Sequence, residues 1–197
     1  MVFIGAGAAI LRQRSHEISQ LGVALAFGLS VTCLIGALPK SSGAHLNPVV
    51  TLSLCATGKC SFNCLVYYSS AQVIGACLAS AALYCVFGPQ IEAGTTKIAA
   101  NFGLMNGFLV ETILSFFLVL SILRSSNAFI VGVVVFLGAL VGGTITGVGM
   151  NPARSFGPSL FSNRCESHCV YWLAPLSGAL LAILIFFTET YWQEVQR

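Results

Sequence analysis

The dipeptide Asn-Pro occurs twice in this chain of 197 residues, at Asn47-Pro48 and at Asn151-Pro152, and each copy precedes a short apolar run. Proline suits the first position of a helix because its missing N–H would have no partner there. Asparagine is among the best N-cap residues because its side-chain oxygen accepts an N–H of the first turn. Each pair therefore predicts the beginning of a helix, with an asparagine NH2 group free to donate outward.

Two such helix beginnings would make an electropositive site if they faced each other. Each helix N-terminus carries roughly half a positive charge, and two asparagine amides would offer donors to one passing oxygen atom. Non-helical backbone is tolerated at mid-membrane depth only where it lines an aqueous cavity. The pattern predicts a path for a neutral solute with acceptor lone pairs, of which water is the simplest, and a barrier to cations and protons.

The composition places these helices in a lipid bilayer. Hydrophobic residues make up 56% of the chain, charged residues make up 8%, and the mean hydropathy is +0.89. Soluble domains carry roughly 25% charged residues, so an ordinary water-facing surface is excluded. The apolar runs are continuous rather than alternating, which disfavours a β-barrel and predicts an all-α membrane protein. The net charge of +3 is spread without a basic block, so no nucleic-acid partner is predicted.

The helices that must position the two Asn-Pro pairs can be located from the apolar runs. A span takes about 20 apolar residues. Full-length candidates are 21–38, 64–87, 106–123, 128–146 and 170–188. The stretch 1–11 is only half a span, so we expect the chain to start inside a transmembrane helix. The runs 47–56 and 151–161, which contain the two Asn-Pro pairs, are too short to cross.

The order of span, half-helix and span occurs twice. Asn151 lies 104 residues after Asn47, and the pattern A-x-x-x-G-A-x-L-A begins at Ala71 and again at Ala174. Each repeat has three spans, an odd number, so the second copy is inverted in the membrane and the two half-helices meet at its middle. The expected domain is a single transmembrane channel over 1–197, with repeat one over 1–90 and repeat two over 104–192.

At these residues the sequence resembles the aquaporin, or major intrinsic protein, family. The segments that carry the resemblance are SGAHLNPVVTL, AQVIGA, VETILSF, GVGMNPARSFGP and YWLAPLSGALLA, in family order. Ser155 after NPAR and the pair Tyr171-Trp172 are more typical of water-selective members than of glycerol-conducting members. The resemblance implies an aquaporin-like bundle of six tilted helices, the first one truncated, two half-helices, and a homotetramer with one pore per subunit.

The resemblance also assigns roles to individual residues. The pore motifs fall on Asn47, Pro48, Val49, Asn151, Pro152 and Ala153. The selectivity ring, which is the narrowest part of the pore in the family, falls on Phe27, Ala139, Val148 and Arg154. Phe27 would be a wall of this ring. The guanidinium of Arg154 carries a permanent charge and fixed donors, which would bind a water oxygen and repel cations.

Two positions depart from the family pattern. Strict water channels usually carry histidine where this chain has Ala139, so the predicted ring loses a polar group and is wider. Val49 stands where alanine is usual, as at Ala153. We therefore expect overpacking at the tips of the half-helices, which would move the tips apart or narrow the pore.

Three further polar residues are assigned to lining or supporting the pore. The resemblance places His45 in the cytoplasmic half of the pore, with a buried histidine bonded to backbone as the alternative. Glu111 lies within a span and is expected to brace the loop of the neighbouring half-helix by accepting its N–H groups. The matching carboxylate of repeat one would lie before Met1. Gln72 either hydrogen-bonds near the motifs or has no role in the site.

The sequence therefore predicts a passive channel for water that excludes ions and protons, and leaves the passage of small neutral solutes open. We expect an integral, multi-pass protein of the plasma membrane, with an intracellular membrane as the alternative. A channel for hydrogen peroxide, ammonia or urea remains open, as does a membrane scaffold or junction protein with a vestigial pore. No nucleophile–base pair or nucleotide motif is present, so neither an enzyme nor a cofactor is predicted.

The eight cysteines do not change this interpretation. Most lie inside apolar runs, where cysteine is a small buried hydrophobe. Cys60/Cys64 and Cys165/Cys169 have few other ligand types nearby, so no metal site is predicted. A disulfide between Cys165 and Cys169 is an open alternative if their loop is extracellular.

Overall fold

The computed structural model describes residues 1–15, 17–38, 43–125 and 127–196. Within these ranges the chain forms eight α-helices, one 3-10 helix and no strand, which confirms the all-α prediction. The α-helices are α1 Val2–Ser15, α2 Gln20–Ala37, α3 Pro48–Ala56, α4 Asn63–Phe87, α5 Leu104–Arg124, α6 Ala128–Gly142, α7 Pro152–Ser162 and α8 Val170–Val195. The 3-10 helix, Gly88–Gly94, follows α4 directly.

Among the described helices, α2, α4, α5 and α8 are long and apolar enough to cross a membrane. The predicted span 128–146 is too long, because α6 ends at Gly142 after 15 residues. The chain leaves the helix there because the Thr146 hydroxyl donates to Glu111 Oε1 at 2.5 Å and Gly147 adopts a φ of 73°. The half-span at the N-terminus runs further than the predicted 1–11, to Ser15.

The two short helices α3 and α7 have 9 and 11 residues. At a rise of ~1.5 Å per residue, each is about half as long as the ~30 Å hydrocarbon core. Helix α3 packs against α4, α5 and α8, and α7 packs against α4, the 3-10 helix and α8, while the two short helices touch each other. The most extensive contacts between helices are those of α2 with α6 and of α5 with α8.

Small residues let these helix pairs approach closely. A Cβ added at Gly178 of α8 would lie 2.2 Å from the carbonyl oxygen of Thr112 in α5. A Cβ added at Gly28 of α2 would lie 2.7 Å from the carbonyl oxygen of Gly132 in α6. Glycine at helix crossings is typical of membrane bundles, where close backbone approach replaces the hydrophobic effect as the source of packing energy. Large apolar side chains such as Met105 are correspondingly exposed on the outside, where lipid would cover them.

Candidate functional site

Both Asn-Pro pairs begin helices. The Oδ1 of Asn47 accepts a hydrogen bond from the N–H of Val49 at 2.9 Å, and the Oδ1 of Asn151 accepts from the N–H of Ala153 at 3.0 Å. Pro48 and Pro152 occupy the first helical positions. The local chemistry predicted from each dipeptide is therefore present, and both caps lie at the inner tips of the half-helices.

The two tips are joined by reciprocal hydrogen bonds. Asn47 Nδ2 donates to the carbonyl of Met150 at 2.7 Å, and Asn151 Nδ2 donates to the carbonyl of Leu46 at 2.8 Å. The accepting residue directly precedes the other asparagine in each case. Each NH2 group is predicted to be free to donate outward from its own helix, and one of its hydrogens donates to the opposite tip. The second hydrogen of each group is the one available to a passing oxygen.

The loops before the two caps have matched backbone conformations. Three residues of each loop adopt positive φ, and each residue of the second loop lies 104 positions after its counterpart in the first. The three pairs are Gly43 (65°) with Gly147 (73°), Ala44 (48°) with Val148 (57°), and Leu46 (57°) with Met150 (33°). Residues other than glycine rarely adopt this region. Two loops that share it at the same positions are therefore constrained in the same way, as an inverted repeat requires.

Glu111 holds the second loop in this conformation. Its Oε1 accepts from the N–H of Gly149 and its Oε2 accepts from the N–H of Met150, both at 2.7 Å, and the Thr146 hydroxyl also donates to Oε1. The Tyr171 hydroxyl donates to the carbonyl of Thr146 at 2.9 Å. Glu111 is fully buried, and a buried carboxylate is costly unless donors satisfy it. These donors make Glu111 a brace for the loop rather than a group facing solute.

Thr51 holds the first loop. Its hydroxyl donates to the carbonyl of Asn47 at 3.1 Å, accepts from Gln72 Nε2 at 3.0 Å, and lies 3.2 Å from His45 Nδ1. Of the two alternatives for Gln72, the structure therefore supports hydrogen bonding beside the motif. The His45 ring also packs edge-on against Tyr68 with centroids 5.0 Å apart.

Two cavities lie along the molecule on either side of the predicted ring. The first, here called the motif cavity, has a volume of about 270 Å³ and is lined by His45, Asn47, Asn151, Phe27, Val148 and Arg154 among others. The second, here called the vestibule, has a volume of about 440 Å³ and is lined by all four predicted ring residues together with Arg12, Gln20 and Lys97 among others. Phe27, Val148 and Arg154 line both, so the cavities adjoin at these three residues.

Arg154 is fixed in place at this junction. Its Nη1 donates to the carbonyl of Gly94 at 2.8 Å, and its Nη2 donates to the carbonyl of Gly147 at 3.3 Å. The guanidinium carbon lies 5.0 Å from the centroid of the Phe27 ring, within the range of a cation–π contact. Only 3% of the residue is exposed. No acidic side chain forms an ion pair with it in the part of the chain that the structure describes.

The expected overpacking by Val49 is wrong. The Val49 side chain belongs to a buried cluster with Val119 and Ala182, which lie on α5 and α8. Its counterpart Ala153 packs against Ala76 of α4 in a different cluster. The extra methyl carbons of valine therefore fill the space between the half-helix and its supporting helices, and both hydrogen bonds that join the tips are retained.

Two cysteine thiols are in contact in a way that the sequence does not predict. Cys55 and Cys60 lie with their Sγ atoms 2.8 Å apart at the end of α3. All eight cysteines are free thiols, including the exposed Cys165 and Cys169, so the alternative of a disulfide between the latter two does not hold in this structure.

Sequence reasoning also missed Thr51, Thr146 and Gln20. The Thr51 hydroxyl donates to the carbonyl of Asn47, and the Thr146 hydroxyl donates to Glu111. Gln20 Nε2 donates to the carbonyl of Ala139. A signal for Thr51 was available, since it lies four residues after the N-cap and a threonine there can bond the N-cap carbonyl. No comparable local signal marks Thr146 or Gln20, because their partners are distant in sequence.

Comparison with known proteins identifies relatives of this chain. The family model described as major intrinsic protein matches residues 1–186. The chain is 37% identical to aquaporin-4 of Homo sapiens over 172 residues, which cover 81% of this chain and 53% of that protein. It is 38% identical to aquaporin-5 of Homo sapiens over 199 residues, which cover 94% of this chain and 75% of that protein. The chain thus spans about half the length of the aquaporin-4 relatives that it matches.

Among solved structures, the chain is similar to the X-ray structure of the aquaglyceroporin from Plasmodium falciparum. The TM-score is 0.85 at 24% sequence identity, and the match covers 94% of this chain and 89% of that chain. At this identity the likeness shows the fold. It confirms the predicted bundle of tilted helices with two half-helices that meet between them.

Proposed function

We propose that this chain, which belongs to the major intrinsic protein family of integral membrane channels, conducts water passively and excludes ions and protons. The observation that carries the proposal is that two cavities adjoin at Phe27, Val148 and Arg154. Both asparagine caps line one of these cavities, the motif cavity. Of the three residues that line both cavities, Phe27 and Val148 are apolar and only Arg154 is charged. Membership of a family of channels also agrees with the prediction that the chain is not an enzyme.

Exclusion of cations is attributed to Arg154 and to the two half-helix N-termini. A cation at the junction meets the guanidinium, and in the motif cavity it meets two helix N-termini, each carrying roughly half a positive charge. It would have to shed hydration water at both places, and the described ring side chains offer it no carboxylate in exchange. A water molecule loses less of its hydrogen bonding on entry, because its oxygen accepts from Arg154 and from the free amide hydrogens of Asn47 and Asn151.

Passage of a second class of solute, small neutral molecules such as hydrogen peroxide, ammonia or urea, is supported by Ala139. Of the four ring residues only Arg154 is polar, and the methyl group of Ala139 leaves the vestibule side of the ring wider than an imidazole would. The substitution Ala139→His should therefore reduce permeability to urea more than permeability to water. Equal reduction of both would count against a ring that selects by size at this position.

We also propose that the channel is one domain over 1–197, with repeats over 1–90 and 104–192, assembled as a homotetramer in the plasma membrane. The matched positive-φ residues of the two loops support the division into repeats. Exposed apolar side chains on several helices support both lipid contact and contact between subunits. Native mass spectrometry of the protein released from nanodiscs would give the number of subunits.

Reconstitution into liposomes tests the channel and its ion exclusion together. An osmotic step should cause swelling faster than that of empty liposomes, without a matching proton leak. Arg154→Val should raise the proton or urea leak, whereas Arg164→Val, which removes an exposed guanidinium elsewhere, should not. If the protein is shown to be folded but its liposomes swell only as fast as empty ones, a scaffold with a vestigial pore is favoured instead.

A further inference from the structure

We propose that the vestibule is a binding site for a small monocarboxylate, whose occupancy closes the entrance to the ring. The binding itself depends only on the side chains of the vestibule, and the effect on water flow rests on the proposed channel function.

The vestibule is lined by three cations and, among its described lining residues, by no acid. The cations are Arg12, Lys97 and Arg154. None of the three belongs to an ion pair within the described part of the chain. The acid nearest in sequence to the lining, Glu92, has its Oε1 3.3 Å from Nε of Arg164, so its charge is already offset. No ion pair with a described side chain therefore neutralises any of these three cations.

Two glutamines, Gln13 and Gln20, lie in the vestibule lining, and Gln20 is turned so that it presents a donor. Gln20 Oε1 accepts from Arg12 Nη1 at 2.7 Å, and Gln20 Nε2 donates to the carbonyl of Ala139 at 2.7 Å. The acceptor atom is thereby occupied, and the remaining hydrogen of the NH2 group is left to donate. Gly143 makes room for this arrangement, since a Cβ at that position would lie 1.9 Å from Gln20 Nε2.

At the floor of the vestibule, Arg154 has an incompletely satisfied guanidinium. Its Nε finds no acceptor among the described residues, although the side chain is buried. A buried charged donor without a partner is costly. A negative charge held just above the ring would lower that cost, because it would lie close to the buried Arg154 guanidinium.

This set of groups matches a carboxylate better than a spherical anion. Guanidinium N–H groups form a planar fork that pairs with two carboxylate oxygens at once, and such charged hydrogen bonds are stronger than neutral ones. Arg12 supplies such a fork, Lys97 supplies a point charge, and Gln20 supplies a neutral donor. A cavity of about 440 Å³ accommodates a small carboxylate with part of its hydration shell. The apolar walls of the ring, Phe27 and Val148, offer the anion no replacement for that shell and keep it in the vestibule.

Binding is measured directly by saturation-transfer difference NMR, with acetate as the probe and the full chain in nanodiscs. We expect a saturable acetate signal. Lys97→Gln should weaken the affinity for acetate about tenfold because one charged donor is lost. Arg12→Gln should weaken it as well. The matched control is Arg14→Gln, which removes the same charge from an exposed position of α1 outside the vestibule lining and should leave the signal unchanged.

Chloride at the same ionic strength separates a carboxylate site from general charge screening. Chloride should displace acetate only weakly. Absence of saturable acetate binding, equal displacement by chloride, or equal loss in Arg14→Gln would each overturn the proposal. Acetate that binds should also slow osmotic swelling with the same half-saturation concentration. Binding without any water permeability in the protein would support the site and refute the channel, so the two failures are distinguishable.

Discussion

The side-chain amide of Asn47 donates a hydrogen bond to the backbone carbonyl of Met150 at 2.7 Å, across 103 residues of sequence. Asn151 returns the same bond to Leu46 at 2.8 Å. The same side chains cap their own helices through Oδ1. Each asparagine therefore uses its oxygen for its own helix and one hydrogen for the other half of the molecule, which fixes where the two half-helix tips meet.

The substitution Asn47→Asp separates these two roles. Aspartate is as good an N-cap as asparagine, but it has no N–H to give to Met150, and its carboxylate would face that carbonyl. We expect a loss of about 1–3 kcal/mol in unfolding free energy together with reduced water permeability. Asn127→Asp is the matched control, because Asn127 caps α6 at an exposed position and should change stability by less than ~0.5 kcal/mol. Equal effects in the two variants would show that the bond between the tips contributes nothing.

The brace on the second loop gives a second prediction. In Glu111→Gln, one carboxylate oxygen is replaced by an NH2 group, so either Gly149 or Met150 loses its acceptor and faces another donor. We expect a loss of about 2–3 kcal/mol, the cost typical of an unsatisfied buried bond to a charged group. Thermal unfolding in detergent measures it. Glu189→Gln, which breaks only an exposed pair with Arg124, should cost less than ~1 kcal/mol. A Glu111 variant as stable as wild type would contradict the role of brace.

Much of this arrangement could be predicted from the sequence, because it depends on local chemistry. The Asn-Pro caps, the two short helices and the all-α class follow from rules that act over a few residues. The end of α6 at Gly142 could not be predicted, since it depends on Thr146 and Glu111 meeting across 35 residues. The direction of the Val49 side chain could not be predicted either. It depends on how α3 is rotated against α5 and α8, which is a property of the packed bundle.

The placement of Val49 leads to a third prediction. Because its side chain fills a cluster between α3, α5 and α8, Val49→Ala should leave a small cavity and cost about 1–2.5 kcal/mol. Water permeability per folded protein should stay within about twofold of wild type, since the methyl groups pack against α5 and α8 and take no part in the hydrogen bonds that join the tips. A large rise in permeability without loss of stability would instead place Val49 between the tips.

The thiol of Cys60 gives a prediction of pH dependence. Burial, together with contacts to the thiols of Cys55 and Cys64, raises the pKa of Cys60 to about 12. The thiolate is the reactive form, so at pH 8 only about one Cys60 side chain in ten thousand is reactive. Iodoacetamide should label the exposed Cys165 more than ~100-fold faster, and the Cys60 rate should rise about tenfold per pH unit up to pH 10. Peptide mass spectrometry reads both rates, and comparable labelling at pH 8 would contradict the raised pKa of Cys60.

In the proposed channel, water crosses the molecule through the junction of the motif cavity and the vestibule. Osmotic swelling of proteoliposomes by stopped-flow light scattering tests it most directly, with wild type compared with Ala139→Trp. Ala139 lines the vestibule side of the ring, and an indole there would fill the passage. We predict fast swelling with low activation energy for wild type, and a fall to the rate of empty liposomes for folded Ala139→Trp protein. Swelling of folded wild-type protein at the lipid rate, or fast swelling that Ala139→Trp leaves unchanged, would contradict the claim.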